Sequence, residues 1–310
     1  MKLSFVIPVF NESESIKQLY NEVVNQTKDY ELELLFIDDG SSDNSYAIMG
    51  NLAENDSRVK IIKFRNNFGK AAALNYAFTK VTGEIIFTMD GDLQDNPQEI
   101  SAFIEKLNKG FDLVTGWKKR RRDPLGKRIA SRFFNLVTSL FFKIRLHDFN
   151  CGFKAFRREV VKELDIYGEL HRYIPVLAAA RGFKVTEIPV EHRPRIHGKS
   201  KYGSERFFRG FFDLLTVKLI TDYIRSPLYL FGGLGFFSAI IGVLIGLYLS
   251  YLKFFGGMPL YNRPLLFLSI LLIMVGLQFF SIGLIGELVV NQSRKLVKEE
   301  NISVEKTINL

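Results

Sequence analysis

The chain has 310 residues, 47% of them hydrophobic and 24% charged, and 42 Lys and Arg against 33 Asp and Glu give a net charge of +9. That length allows one or two domains, and the averages hide two unlike parts: residues 1 to about 225 mix charged and apolar side chains, whereas those from about 228 to 290 are almost uncharged. The positive charge is concentrated at 118–132 and 193–209 without any nucleic-acid motif, which excludes nucleic acid as the expected partner and favours phosphorylated ligands or an anionic membrane surface.

Residues 3–9 read as a strand rather than a signal segment, the apolar run being short and lacking a small-residue cleavage site. Ser13 then caps a helix with Ile16, Leu19, Tyr20 and Val23 on one stripe. A second strand, 32–37, ends in Asp38-Asp39-Gly40-Ser41-Ser42-Asp43, and Asp43 caps a helix to about residue 53. Residues 59–64 form a third strand and 70–80 an alanine-rich helix. The apolar run 85–88 is a buried strand that delivers Asp90, Asp92 and Asp95 before Pro97 opens a helix to about residue 109, with a further strand at 112–115. Apolar strands alternating with helices predict an α/β fold with a mainly parallel, Rossmann-like sheet covered on both faces. Ligands of such sheets bind beyond the carboxyl ends of the strands, where Asn11-Glu12, Asp38-Asp39, Asn66-Asn67 and Asp90-Gly91-Asp92 all fall.

The chemistry-bearing residues are mainly acidic. No glycine-rich dinucleotide turn, Walker A loop or paired His/Cys zinc spacing is present. Asp90 and Asp92, brought together where the backbone turns at Gly91, form with the Gln94 amide oxygen a half-built Mg²⁺ or Mn²⁺ site that a diphosphate completes. The alternative is a polar turn that only caps the helix at Pro97. Single Cys151 excludes an internal disulfide, fits a reducing compartment and reads as a buried small residue; His147 and His171 read as structural.

Residues 129–146 are too apolar for an ordinary exposed helix, and 205–224 set aromatics on one side against Arg and Lys on the other, as helices lying in a membrane interface or packing on the domain do. Residues 228–252 and 264–290 are each long and apolar enough to span a bilayer. Gly232, Gly233, Gly235, Gly242 and Gly246 permit close helix packing and self-association into a homo-oligomer. The basic domain and Arg294, Lys295 and Lys298 outweigh Lys253 and Arg263, which predicts a multi-pass inner-membrane protein with domain and C-terminus in the cytoplasm. The expected organisation is a catalytic domain at 1–203, an interfacial helix at 204–227, a transmembrane hairpin at 228–290 and a polar tail at 291–310, disordered from 298 onward.

Taken together, Val6-Ile7-Pro8-Val9-Phe10-Asn11-Glu12, Asp38-Asp39-Gly40-Ser41, Asn67-Phe68-Gly69-Lys70 and Asp90-Gly91-Asp92-Leu93-Gln94 resemble a family 2 glycosyltransferase with a GT-A fold. The run from Asp148 to Phe156 and that from His192 to Gly203 narrow the resemblance, which covers roughly residues 1–290, to the polyprenyl-phosphate glycosyltransferases. It implies that Pro8, Glu12 and Asp38 or Asp39 hold the base and ribose, with Lys70, Asp90 and Gly91 in the same nucleotide-sugar site. It assigns Asp90, Asp92 and Gln94 to the metal and places Asp92 and Asp148 at the reacting centre, Asp148 as base or as a group orienting the acceptor. An acceptor phosphate is largely ionised at neutral pH and needs orientation more than a base. Arg120, Arg128, Arg132, Arg193, Arg195, Lys199 and Lys201 are its implied holders, the 193–202 segment as a mobile loop; the alternative for the run after Trp117 is a solvated basic surface.

The implied reaction is metal-dependent, inverting transfer of a hexose from a nucleotide sugar to undecaprenyl phosphate on the cytoplasmic leaflet. UDP-glucose is the first expectation, with GDP-mannose, UDP-N-acetylhexosamine or a modified arabinose donor as alternatives. A processive synthase is disfavoured by the missing Gln-x-x-Arg-Trp motif, and a channel or scrambling protein by spans almost without polar residues.

Overall fold

The structure, a computed structural model, describes residues 1–119, 125–194, 213–223, 226–257, 259, 264–293 and 304–308. Two compact units emerge: Met1–Val217 together with Asn301–Leu310, and Lys218–Glu300.

The first unit is built on an eight-stranded sheet, β1 (Lys2–Val9), β2 (Glu31–Asp38), β3 (Val59–Phe64), β4 (Ile85–Thr88), β5 (Leu113–Lys118), β6 (Lys154–Arg157), β7 (Val185–Val190) and β8 (Val304–Ile308), in the order β7-β5-β6-β4-β1-β2-β3-β8. The pairs β1–β2, β1–β4, β2–β3 and β5–β7 are parallel, and β4–β6, β5–β6 and β3–β8 antiparallel. β1 is buried almost throughout, as expected of a strand covered on both faces. Helices α1 (Ile16–Gln26), α2 (Ser45–Asn55) and α4 (Ile100–Asn108) share one core with Leu3, Phe5, Phe36 and Phe87. Helix α3 (Lys70–Phe78) packs on β1 and β2 through Ala71, Ala73, Leu74 and Ala77. The remaining helices of this unit are α5 (Leu125–Phe142), α6 (Arg158–Glu163) and α7 (Ile174–Ala180). In register, Val9 lies beside Asp38 and Val6 beside Thr88, so the loops after β1, β2 and β4 leave from one edge. The strand order reverses between β1 and β4, which makes that edge the switch point of the sheet.

Four details depart from the sequence reading. β6 is a four-residue strand inserted between β4 and β5, too short to announce itself by alternation. Helix α1 starts at Ile16, and Ser13 does not cap it; its amide donates to Asp43 Oδ2 at 3.2 Å. The turn after β4 takes its left-handed residue at Leu93 (φ 61°), not at Gly91. The tail expected to be disordered supplies β8, whose residues 304–308 pair with β3 and close an edge that would otherwise leave backbone groups open. Val304, Thr307 and Ile308 are β-branched, which suits a strand.

The second unit is a helical hairpin, Pro227–Phe254 and Pro264–Ser293, with mean hydropathies of 2.2 and 2.5 over their most apolar windows. Both helices are long and apolar enough to cross a membrane. They meet through glycine: a Cβ on Gly235 would lie 2.5 Å from the Gly276 carbonyl oxygen, and one on Gly276 2.6 Å from that of Gly235. Ser269 Oγ donates to the Gly242 carbonyl at 2.7 Å and Ser238 Oγ to that of Leu272 at 2.8 Å. Gly235 and Gly242 therefore serve the hairpin itself, and the expected self-association loses these two residues as its basis. Of the expected interfacial helix, 213–218 is helical and runs into a π-helical turn, Leu219–Tyr223; residues 204–212 lie outside the described residues.

Candidate active site

Side-chain to backbone bonds stitch the loops after β1 and β2 together. Asn11, in the left-handed region at φ 54°, accepts from the Ser42 amide at 2.8 Å, and its own amide donates to Ser41 Oγ at 3.0 Å. The Glu12 amide donates to Ser45 Oγ at 3.0 Å. Asp43 receives the Ser45 and Ser13 amides; burial pushes its carboxyl up, but the side chain and amide of Ser45, then those of Ser13, outweigh it and hold the group below the ordinary carboxylate range. Gly40 (φ 73°) passes so close to the next loop that a Cβ would sit 2.7 Å from the Asn66 carbonyl carbon.

The adjacent acids Asp38 and Asp39 play different parts. Asp39 accepts the amides of Phe68 and Gly69 at 2.8 and 2.9 Å, which brackets the loop that starts α3 at Lys70. Burial raises its carboxyl above the usual range despite those two bonds. Asp38 accepts the Ser41 amide on Oδ1 at 2.8 Å, and its buried Oδ2 has no hydrogen-bond partner. Of the two, it is Asp39 that holds the loop at 66–69.

Asp90, just beyond β4, is the electrostatic centre. Lys70 Nζ pairs with Asp90 Oδ1, while Lys118 and Lys154 add positive potential. Burial alone would raise the Asp90 carboxyl; Lys70 first, then Lys118 and Lys154, bring it down to about 2. Lys118 is tied to buried Asp95 at 3.3 Å, and Asp95 Oδ2 accepts the Asp90 amide at 3.3 Å. Lys154, 3% exposed, donates to the Cys151 carbonyl, and burial lowers its pKa to about 8. The Cys151 thiol is pushed up to about 12 by burial, which removes it as a nucleophile. Gly152 packs against the Asp90 carboxylate: a Cβ there would lie 2.7 Å from Asp90 Cγ. Ser15 Oγ donates to the Glu12 and Gly91 carbonyls, linking the β1 loop to the acidic one. Beneath this edge Phe103 and Phe153 pack with ring centroids 4.3 Å apart.

Asp92 is buried and accepts the Gln94 amide on Oδ1 at 3.2 Å. Among the described residues no group of three or more His, Cys, Asp or Glu forms a complete metal cage. Two carboxylates with a nearby amide fit a divalent ion that takes its other ligands from a diphosphate. The Lys70 ammonium already meets Asp90 as a cation would.

The remaining predicted residues are placed unevenly. Pro8 lies on β1, and its carbonyl oxygen is 3.5 Å from where a Gly91 Cβ would be. Asp148 is buried, accepts the Asn150 amide at 3.1 Å and adds to the field at Lys118 and Lys154. Arg193 is committed within the fold: it donates to Glu22 of α1 and to Asn96 Oδ1, each at 2.6 Å, and its amide bonds the Gln94 carbonyl at 3.1 Å. Arg132 is exposed on α5. Arg128 lies on α5 without a described side chain, and Arg120, Arg195, Lys199 and Lys201 lie outside the described residues. Sequence reasoning named Lys118 only within the basic run after Trp117, and passed over Lys154 as a site group and Gly152 as the residue making room for Asp90. The signal for Lys154 was a lysine inside an otherwise apolar run, Phe153 to Phe156.

The arrangement, with nucleotide-type loops at the switch point and an acidic turn beside them, is that of a GT-A glycosyltransferase. Glucosyl-3-phosphoglycerate synthase from Mycobacterium tuberculosis, solved with Mn²⁺, uridine diphosphate and phosphoglyceric acid, matches this fold with a TM-score of 0.54 at 15% identity, over 71% of this chain and 78% of that one. The family model described as Glycosyl transferase family 2 matches residues 4–165, and the chain belongs to that family of enzymes. Among curated relatives, the dodecaprenyl-phosphate galacturonate synthase of Rhizobium johnstonii is 34% identical over 93% of this chain and 88% of its own length. The undecaprenyl-phosphate 4-deoxy-4-formamido-L-arabinose transferase of Pseudomonas fluorescens is 34% identical over 92% of this chain and 83% of its own.

Proposed function

We propose that this enzyme transfers a sugar from a nucleoside diphosphate donor to the phosphate of a polyprenyl phosphate at the cytoplasmic face of the membrane. The observation that carries the reading is the Asp90 cluster: one carboxylate at the switch point, paired with Lys70 and lying in the field of Lys118 and Lys154. A diphosphate donor and a phosphate acceptor repel each other, and closely set cations offset that repulsion. Asp90 and Asp92 would hold a divalent ion, Mg²⁺ or Mn²⁺, which when bound neutralises charge on the leaving diphosphate. The unpartnered Asp38 Oδ2 is suited to a ribose hydroxyl or base N–H. Asp148, buried among lysines, orients the acceptor rather than serving as base, because a phosphate acceptor is already ionised.

A lipid acceptor is supported by α5, which exposes Phe133, Leu136, Leu140 and Phe141 beside exposed Arg132, an amphipathic face suited to a membrane surface. The return of β8 to the domain sheet after two membrane-length helices supports an even number of crossings, with domain and tail on one side. The relatives are named for galacturonate and for 4-deoxy-4-formamido-L-arabinose. The donor we infer is accordingly a UDP-linked modified sugar of that kind, in place of the glucose expected from sequence.

The test is transfer of radiolabelled sugar to undecaprenyl phosphate in membranes. UDP-galacturonate, UDP-4-deoxy-4-formamido-L-arabinose, UDP-glucose and GDP-mannose are offered in parallel, with and without EDTA, to wild type and Asp92→Ala. Lipid-soluble product from a modified-sugar donor, lost with EDTA and in Asp92→Ala, is expected. Product from UDP-glucose alone overturns the donor assignment, and activity that survives Asp92→Ala overturns the metal assignment.

A further inference from the structure

Residues 146–152 lie between α5 and β6 and include Asp148, and the two ends of this segment are anchored to different parts of the fold. At the β6 end the Gly152 carbonyl accepts Thr88 Oγ1 at 2.8 Å, and a Cβ on Gly152 would lie 2.7 Å from Asp90 Cγ. At the α5 end Ser139 Oγ donates to the Leu146 carbonyl at 3.2 Å. Asn135, a turn earlier on α5 and buried, does more. Its Nδ2 donates to the His147 carbonyl at 2.7 Å, and its Oδ1 accepts the Phe149 amide at 3.4 Å. One side chain thus grips the residues immediately before and after Asp148. The sheet holds the same segment. The His147 amide donates to Glu187 Oε2 of β7 at 2.7 Å, and the His147 ring stacks on Trp117 of β5 with centroids 4.1 Å apart.

The pair of bonds accounts for the residue type. An asparagine amide carries a donor and an acceptor on one short planar group, so it can meet a carbonyl and an N–H two residues apart. Leucine at that position would bond neither backbone group, and an ionised aspartate would repel the His147 carbonyl. Phe133, Leu136 and Leu140 on the same helix are exposed, so Asn135 joins the helix with the apolar outer face to the segment that carries the buried carboxylate. We propose that Asn135 is a positioning residue for sugar transfer: by fixing both neighbours of Asp148, it sets that carboxylate in place relative to Asp90. The inference rests on the reading of Asp148 as the group that orients the acceptor, and extends it to the side chain that places Asp148. A displacement of about 1 Å in such a group costs about 10²-fold in rate.

The test is a double-mutant cycle on the full chain in nanodiscs containing undecaprenyl phosphate, with Mn²⁺ and whichever of the four donors above labels the lipid in wild type. The variants are Asn135→Ala, Asp148→Asn, the two combined, and Ser139→Ala, which removes the α5 bond that does not flank Asp148. UDP affinity, measured by calorimetry, is expected to stay within about twofold throughout, because the segment is assigned to the acceptor side. In Asn135→Ala, kcat/KM for undecaprenyl phosphate falls by about 10- to 100-fold, whereas Ser139→Ala stays within about threefold. Once Asp148 is already Asn, adding Asn135→Ala costs less than about threefold, since a residue that acts through another is non-additive with it. Losses that multiply in the combined variant, or an equal loss in Ser139→Ala, make Asn135 a general staple and overturn the proposal while leaving the role of Asp148 intact. Wild-type transfer by Asp148→Asn overturns the acceptor-orienting reading instead, and the role of Asn135 falls with it. Thermal unfolding of each variant identifies a fold defect, and the same cycle with Asn135→Asp, which keeps the side-chain volume, keeps the test decisive if Asn135→Ala unfolds.

Discussion

Gly152 in the catalytic unit and Gly235 with Gly276 in the helical hairpin lack a side chain for the same steric reason and to opposite ends. At Gly152 the missing Cβ leaves room for a carboxylate, since an added methyl would lie 2.7 Å from Asp90 Cγ. At Gly235 and Gly276 it leaves room for backbone, each Cβ position falling within 2.6 Å of the facing carbonyl oxygen. The first glycine places a charge among lysines; the other two set how closely two apolar helices approach. Close approach in the catalytic unit therefore bears on chemistry, and in the hairpin on stability.

The largest break in that comparison is Asp90→Ala, which removes the charge that Gly152 accommodates and leaves Lys70, Lys118 and Lys154 without their shared counter-charge. Sugar transfer is expected to fall by about 10³-fold, the scale of losing a principal electrostatic contact at a reacting centre. A loss below tenfold in a radiolabel assay would remove Asp90 from the centre of the site. Gly152→Ala is the finer version. It keeps the carboxylate and moves it, so transfer drops by about 10- to 100-fold, as for a misplaced catalytic group. Its melting temperature is expected to stay within a few degrees of wild type; a large drop without loss of specific activity would make Gly152 a folding residue only.

Much of the catalytic edge was legible because it is contiguous in sequence. The apolar runs of β1, β2 and β4 end directly in Asn11-Glu12, Asp38-Asp39 and Asp90-Gly91-Asp92, so locating the strands located the acids. What could not be read depends on partners far along the chain. Asp38 and Asp39 are separated in role only by the 66–69 loop, whose amides take up Asp39. Arg193 looked like a free loop cation until Glu22, 171 residues away, was seen to hold it. β6 and β8 are four and five residues long, too short for periodicity to identify, and each exists through an antiparallel neighbour. The hairpin was legible in length and hydropathy, but the use of its glycines within the chain appeared only once the second helix was placed against the first.

Gly235→Val tests the hairpin side of the comparison. The added side chain meets the Gly276 carbonyl at 2.5 Å and the Phe280 amide nitrogen at 3.0 Å, so the helices must separate. Overpacking of this kind costs about 1–3 kcal/mol. A lower unfolding temperature in detergent is expected, with transfer per folded molecule close to wild type. Equal stability would mean that the helices tolerate a wider spacing than the glycines provide.

The smallest effect comes from a cluster of the first unit that shares no residue with either glycine contact. Asp56 accepts the Tyr20 hydroxyl at 2.7 Å and both Nε and Nη2 of Arg58, at 2.9 and 2.7 Å. Arg58 first, against the opposing effect of burial and with Tyr20 assisting, lowers the Asp56 carboxyl from 3.8 to about 2. Its folded value lies below its unfolded one, so its contribution is complete above about pH 4 and is lost as pH falls toward 2. Full conversion of that shift would give roughly 2.4 kcal/mol, but Arg58 is 43% exposed and solvent screening trims the contribution to about 1 kcal/mol. Asp56→Asn is therefore expected to lower the unfolding temperature at pH 7 by a few degrees and to leave donor affinity unchanged. The difference between variant and wild type closes as the pH approaches 2. A gap that persisted unchanged down to pH 2 would show that the Asn amide disturbs packing rather than removing a charge, and the linkage to Arg58 would fall with it.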